Sequence, residues 1–141
     1  MMCAGYFMDS RDELSALLSR LITINSSVGC GDSITLEETG VFEFLRKENY
    51  AFLDEFDPTL SKVEKQKLYL KNFTVDTFIT GSNTITLDGK IFNIDGNGSR
   101  VAPMLYGPKQ VIIVVGINKL TDDVDSAIKR TRQIVAPMDA K

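Results

Sequence analysis

Residues 26–38 read Ser26-Ser27-Val28-Gly29-Cys30-Gly31-Asp32-Ser33-Ile34-Thr35-Leu36-Glu37-Glu38. The first six residues predict a short strand that runs into a glycine turn, and Ser33 is a good N-cap for a helix over 34–38. A strand followed by a glycine turn and a helix is typical of folds in which helices cover a parallel sheet. The stretch therefore predicts an α/β domain.

The rest of the chain alternates helices and strands around one hairpin. An amphipathic helix follows Asp9 and Ser10, Ser61 with Glu64 forms a capping-box pattern, and Asp88-Gly89 is a strong hairpin signal. The other predicted elements are an edge strand over 6–8, strands over 51–56 and 77–80, a strand buried on both faces over 111–116, and a last helix over 121–134. Without linker composition or repeats, residues 1–141 are predicted to form a single domain whose sheet is mostly parallel, with a β-hairpin excursion.

The composition excludes several classes of function. The net charge is −3 and the basic residues are scattered among acids, which argues against a nucleic-acid surface. Apolar runs stay short of the ~20 residues that a membrane span needs. The chain has two cysteines and no histidine, so we expect a cytoplasmic protein without a metal site, a bound cofactor or a histidine-activated nucleophile.

The first candidate site is the glycine turn after the first strand of residues 26–31. Backbone N–H groups at a helix start suit an anion, and hydroxyl side chains add donors, so the predicted ligand-binding residues are Gly29, Gly31, Ser33 and Thr35. The alternative is that the glycines only permit a tight turn with positive φ. Cys30 between them is either a thiol of lowered pKa or a small buried side chain that fills space.

The second candidate site is Asp95-Gly96-Asn97-Gly98-Ser99-Arg100, another glycine turn before a helix. It adds Gly96, Gly98, Ser99 and Arg100 to the predicted ligand-binding residues, because a guanidinium matches carboxylate or phosphate. The alternative is a surface arginine paired with Asp95 or Asp88. Two such turns in one α/β domain favour a pocket for a small anionic ligand at the carboxyl ends of the strands.

Catalytic residues are unknown from this pattern, and Glu38 and Asp95 are the carboxylates we single out. A buried carboxylate near the two turns would serve as an acid or base, whereas a glutamate on a helix surface has no such role. For a residue such as Glu38, a position on the helix surface is the commoner one.

Several spaced motifs, in this order, resemble the lactate-utilisation (LUD) domain family. The matching stretches are 29–40, 80–86, 88–102, 107–109 with the strand over 111–115, 116–119 and the closing Ala136-Pro137 with Ala140-Lys141. The resemblance implies a three-layer α/β fold similar to the CoA-transferase and ribose-phosphate-isomerase superfamily. It supplies no agreed catalytic residues.

The resemblance implies one function, and the two glycine turns suggest an alternative. One is an accessory, non-catalytic component of bacterial lactate utilisation beside iron–sulfur partner subunits. The other is an enzyme or sensor that binds a small carboxylate or a phosphorylated metabolite at the glycine turns.

The chain departs from the family pattern in three places. Relatives usually have a helix before residues 6–8 and continue past Lys141, so the chain is expected to be shortened at both ends and to self-associate through uncovered apolar surface. Pro103 stands where a helix former is usual, and we expect it to cost a backbone hydrogen bond.

Overall fold

The computed structural model describes residues 3–135 and 137 of the chain. The helices are α1 (Arg11–Leu21), α2 (Ile34–Glu38), α3 (Val41–Lys47), α4 (Lys62–Lys71), α5 (Val101–Leu105) and α6 (Val124–Arg130). The strands are β1 (Ser27–Cys30), β2 (Ala51–Phe52), β3 (Thr77–Thr80), β4 (Thr84–Thr86), β5 (Ile91–Phe92), β6 (Gln110–Ile113) and β7 (Leu120–Thr121). Short 3₁₀ turns cover Asn72–Thr74 and Ile117–Lys119, and a π-helical turn over Thr131–Val135 follows α6.

The strands form two sheets that are joined by a short connection. The first sheet has the order β2-β1-β3-β6, and all its pairs are parallel. The second has the order β5-β4-β7, in which β4 and β5 form the antiparallel hairpin and β7 runs parallel to β4. Only residues 81–83 separate β3 from β4, so the chain crosses there from one sheet to the other. The predicted α/β class, with its mostly parallel sheet and hairpin excursion, is confirmed.

One face of the first sheet is covered by α1, α2 and α3. Their apolar residues pack with those of β1 and β3 into one core, whose buried members are Leu14, Leu18, Ile22, Val28, Cys30, Leu36, Val41, Phe42, Leu45 and Ile79. Ile112 of β6 packs against this core from the edge of the sheet. The periodic leucines predicted for α1 therefore provide the hydrophobic burial that fixes the helix to the sheet.

On the opposite face of the sheet, Gly29 and Gly31 leave room for neighbouring side chains. A Cβ on Gly29 would lie 2.2 Å from Oδ1 of Asn72, and one on Gly31 would lie 3.2 Å from the ring of Phe78. Neither glycine is among those with positive φ. The tight-turn alternative is therefore wrong for these two positions, where the fold requires close packing instead.

Three local predictions are confirmed. The Ser33 hydroxyl accepts from the Leu36 N–H at the start of α2, and Ser61 and Glu64 form the capping box of α4. Gly89 in the hairpin turn has a φ of 85°, a conformation that glycine adopts without strain.

Four local predictions are wrong. Residues 6–8 form no strand, and Tyr6 and Phe7 are exposed. The strand at 111–116 ends at Ile113 and is half-buried, because β6 is the other edge strand. The last helix is shorter than 121–134. The strand predicted over 51–56 ends at Phe52. Pro103, by contrast, follows Ala102, whose N–H already bonds the Gly98 carbonyl at 2.9 Å, so proline stands where the next N–H of the helix would bond Ser99.

Candidate functional site

The residues that follow the four parallel strands meet at the carboxyl edge of the first sheet. In the order of the sheet, β2 leads to Glu55, β1 to Asp32, β3 to Asn83 and β6 to Lys119. The charge along this edge therefore changes from acidic beside β2 and β1 to basic beside β6. Ligands of open α/β sheets bind at this edge, which makes it the candidate site.

Arg100 crosses the centre of the edge and ties the two sheets together. Its Cγ lies 2.7 Å from where a Cβ on Gly31 would be, so the side chain runs directly over the first glycine turn. Nη1 donates to Asn93 Oδ1 at 2.9 Å and to the Gly81 carbonyl at 3.4 Å. Nη2 donates to Asn83 Oδ1 at 3.0 Å and to the Ile94 carbonyl at 2.9 Å. All four acceptors are neutral, so these bonds fix the guanidinium in place and leave its charge unbalanced.

Arg130 meets Arg100 at the same residue. Nη1 of Arg130, in the last turn of α6, donates to the Asn83 carbonyl at 2.8 Å, while Arg100 holds the side-chain oxygen of Asn83. Asn83 thus binds two guanidinium groups at the point where the chain crosses between the sheets. In residues 3–135 and 137, neither arginine forms an ion pair.

Lys119 is the third cation of this group and is half-buried. Burial lowers the pKa of its ammonium group, and the charges of Arg130 and Arg100 lower that pKa further, while Glu38 acts in the opposite direction. Its ammonium has no hydrogen-bond or ion-pair partner within the described part of the chain. We call Arg100, Lys119 and Arg130 the basic cluster. Three cations that gather without a paired carboxylate form a field that favours an anion.

Glu55 dominates the acidic end of the same edge. Its side chain is 7% exposed, and burial with the nearby charge of Asp32 raises its pKa to about 7. Asp54 and Asp95 act in the same direction, and Lys65 opposes them. We call Asp32, Glu55 and Asp95 the acidic cluster. A carboxyl group with such a pKa can hold or release a proton near neutral pH.

The predicted residues of the first glycine turn lie at this edge with structural partners. Gly31 underlies Arg100, and the Ser33 hydroxyl lies against Gly81, 2.2 Å from where a Cβ on that glycine would be. Gly29 and Thr35 are buried. The helix that follows has only five residues, and Ser33 already satisfies one of its free N–H groups. The ligand-binding role of these four residues stays a prediction.

The second turn is more open than the first. A Cβ on Gly96 or Gly98 would meet no heavy atom within 4 Å, and the Ser99 N–H bonds the side chain of Asn97. Gly98 has a φ of 82°. The predicted binding roles of Gly96, Gly98 and Ser99 stay untested, and of this turn only Arg100 reaches the basic cluster.

The two carboxylates singled out from the sequence lie at different positions. Oδ2 of Asp95 accepts the backbone N–H groups of Arg100 at 2.9 Å and Val101 at 3.0 Å, so it caps the start of α5. Glu38 is exposed at the end of α2 and acts on Lys119 through its charge. The alternative interpretation of Arg100 as a surface partner of Asp95 or Asp88 is wrong, because its guanidinium binds the neutral groups described above.

Cys30 is a small buried side chain. Burial raises the pKa of its thiol well above the ordinary value, and the charge of Glu55 raises it further. The hypothesis of an activated thiol is therefore wrong, and the space-filling alternative is confirmed. Across residues 3–135 and 137 there is no group of three or more histidine, cysteine, aspartate or glutamate side chains placed to hold a metal ion.

Two surface cavities lie at opposite edges of the first sheet. One of about 170 Å³ adjoins the carboxyl edge and is lined by Asp32, Ser33, Glu37, Phe42, Glu43, Arg46 and Phe56. The other, of about 460 Å³, lies at the amino edge around Asp76 and Lys109, whose ion pair has an Nζ–Oδ1 distance of 2.7 Å.

Sequence reasoning missed Lys119, Arg130, Asn83 and Glu55. Lys119 follows the strand over 111–115 on its carboxyl side, so the rule that placed Arg100 at this edge would have placed Lys119 there too. Arg130 gave no such signal, because an arginine in the last turn of a helix is ordinarily explained by the helix dipole.

Comparison with known proteins supplies the family. The family model described as the LUD domain matches residues 2–141. No curated protein matches the chain. Helices long and apolar enough to cross a membrane are absent from the described residues. Since the match covers essentially the whole sequence, the chain belongs to the LUD domain family.

Proposed function

We propose that this LUD-domain protein takes part in bacterial lactate utilisation by binding a small anionic metabolite, a carboxylate or a phosphorylated compound, at the basic cluster. The observation that carries the proposal is the meeting of Arg100 and Arg130 on Asn83 beside the half-buried Lys119. Holding like charges together in a partly buried site is unfavourable unless an anion compensates them. A bound carboxylate or phosphate would supply that compensation.

The cations of the basic cluster are already positioned for a small anion. Arg100 is fixed by four hydrogen bonds and Arg130 by one, so the cations are positioned before a ligand arrives. In a preorganised site, less conformational entropy is lost when the ligand binds, because the side chains are already ordered. Arg130 and Lys119 keep further N–H donors for the ligand, whereas Arg100 contributes chiefly its charge.

A thermal-shift screen tests this proposal. Lactate, pyruvate, sugar phosphates and inorganic phosphate are added to the wild-type protein, and a ligand at a hundred times its dissociation constant should stabilise the fold by about 2.7 kcal/mol. Arg130→Gln should abolish the shift. Lys129→Gln removes the same charge from the neighbouring exposed position and should leave the shift unchanged. Equal shifts in both variants, or no shift with any of these anions, would contradict the proposal.

An accessory role beside iron–sulfur subunits is the second candidate function. Leu105 and Tyr106 are 80% and 83% exposed at the end of α5, and they lead directly towards the half-buried edge strand β6. Adjacent exposed apolar side chains favour contact with another protein. The same surface would serve the expected self-association. We place both activities in the cytoplasm.

Co-purification tests the accessory role. The endogenous protein is isolated from lactate-grown cells, and its partners are identified by mass spectrometry. Iron–sulfur subunits that are retained by the wild type and lost with Tyr106→Glu would support the role. If the wild-type protein is isolated without any iron–sulfur subunit, the accessory role is refuted. The anion-binding proposal is unaffected by that result.

A further inference from the structure

Lys119 has a position that anion binding alone does not require. Its backbone lies between the carboxyl end of β6 and β7, where the Lys119 N–H bonds the Gly116 carbonyl at 2.9 Å and the next residue pairs with β4. The side chain is thus attached to a segment held at both ends by the two sheets. A rigid anchor of this kind keeps a reacting group in place.

The environment of the Lys119 amine differs from that of two other lysines near ordered structure. Lys90 pairs with Asp88 and Lys109 pairs with Asp76. Lys119 comes directly before Leu120, which pairs with Ile85 of β4, and Asn83, which binds both guanidinium groups, lies two residues before Ile85. The Lys119 ammonium has no hydrogen-bond or ion-pair partner within the described residues. Burial and positive neighbours both favour the neutral amine, which is the nucleophilic form of lysine.

We propose that Lys119 forms an imine with the carbonyl group of a small oxo acid whose carboxylate is bound by Arg130 and attracted by the charge of Arg100. This inference rests on the proposed anion site and names its ligand class. A carboxylate at the guanidinium groups and a carbonyl at the amine require one small ligand that carries both functions. A 2-oxo acid has that arrangement.

The step balances without an oxidant or a reductant. The Lys119 ammonium first loses a proton to solvent, and the neutral Nζ attacks the carbonyl carbon to form a C–N bond. The nitrogen then gives one proton to the former carbonyl oxygen, which takes a second proton from solvent and leaves as water, so that a protonated C=N bond remains. The positive charges of Arg100 and Arg130 stabilise the negative charge that develops on the oxygen during attack.

Reductive trapping tests the inference. The protein is incubated with pyruvate and cyanoborohydride, which reduces the C=N bond to a stable secondary amine, and peptide mass spectrometry locates the adduct. We expect one adduct at Lys119, formed at least ten times faster than at Lys109. Lys119→Arg should lose that adduct, and Lys109→Arg should keep it.

Calorimetric titration with pyruvate separates this inference from the proposed function. If pyruvate binds and no Lys119 adduct forms, or if lysines are labelled at equal rates, the imine proposal is overturned and the anion site stands. If pyruvate neither binds nor labels Lys119 and the anion screen is also negative, both proposals fail. Retained pyruvate binding by Lys119→Arg, together with loss of the adduct, would confirm that the amine and the anion site have separate roles.

Discussion

At the scale of single residues, Gly31 connects the fold to the site. Its α-carbon lies beneath the Arg100 side chain, where a Cβ would be 2.7 Å from both Arg100 Cγ and Thr80 Oγ1. Gly31, predicted as a ligand-binding residue, also provides space for the arginine of the second turn. The two glycine turns of the sequence are one structure, and Arg100 joins them.

Gly31→Ala should destabilise the protein by about 1–3 kcal/mol, because the new methyl group must displace Arg100 or Thr80 in a close-packed region. It should also weaken anion binding, since Arg100 would leave its place on Asn83. The matched control is Gly96→Ala, where a Cβ meets no atom within 4 Å and φ is not positive. Urea denaturation of both variants measures the difference, and equal stabilities would show that the space over Gly31 is not needed.

Glu55 should make stability depend on pH. Burial raises its folded-state pKa to about 7, above the ordinary value of 4.5 in the unfolded chain. As the pH rises, Glu55 loses its proton at a lower pH in the unfolded chain than in the folded protein. The contribution of protonated Glu55 to the free energy of unfolding is therefore complete below about pH 4.5 and is lost as the pH rises through 7. The expected loss is about 1–3 kcal/mol.

Glu55→Gln should flatten this profile, because the amide stays neutral at every pH. Glu48→Gln, at an exposed position, should keep the wild-type profile. The measurement is the free energy of unfolding by urea between pH 5 and 8.5. A wild-type stability that rises across this range would refute the assignment.

At the scale of elements, the sequence predicted features that depend on neighbours along the chain. The N-cap Ser33, the Ser61 capping box and the Gly89 turn are local, because each depends on hydrogen bonds or φ angles within a few residues. The strand predicted at 6–8 was wrong, because a strand needs a partner elsewhere in the chain and a short apolar run does not show whether it has one.

The start of α6 should control the site at its other end. Oδ1 of Asp123 accepts the Ser126 N–H at 2.8 Å and so caps the helix that carries Arg130 in its last turn. Asp123→Ala should lower the melting temperature by a few degrees and weaken anion binding several-fold. Asp122→Ala, next to it and exposed, should do neither. Calorimetric titration of the two variants with the same anion compares their affinities directly. Equal affinities would show that the Asp123 cap does not affect anion binding.

At the scale of the whole molecule, the basic cluster is a product of topology. Arg100 comes from the start of α5, Lys119 from the turn between β6 and β7, and Arg130 from the end of α6. They meet because residues 81–83 bring the second sheet next to the carboxyl edge of the first. The sequence placed Arg100 correctly at a strand-end turn, and the contact with Arg130 at a distance of 30 residues could not be predicted from either local pattern.

The same topology separates the charges along one edge. Of the acidic cluster, Glu55 follows β2 and Asp32 follows β1, and Lys119 follows β6 at the far side of the sheet. Arg100, whose backbone N–H bonds the third member Asp95, runs over Gly31 between them. A ligand on the basic side would therefore be drawn by its negative charge to one end of the edge, and attraction to the cluster should weaken as salt screens it.

The most direct test of the central claim is a crystal structure of the protein with the anion that gives the largest thermal shift. We predict that the ligand lies within hydrogen-bond distance of Lys119 Nζ and the Arg130 guanidinium, with Arg100 still bound to Asn83. A ligand found in the amino-edge cavity beside Asp76 and Lys109, with the basic cluster unoccupied, would contradict the account.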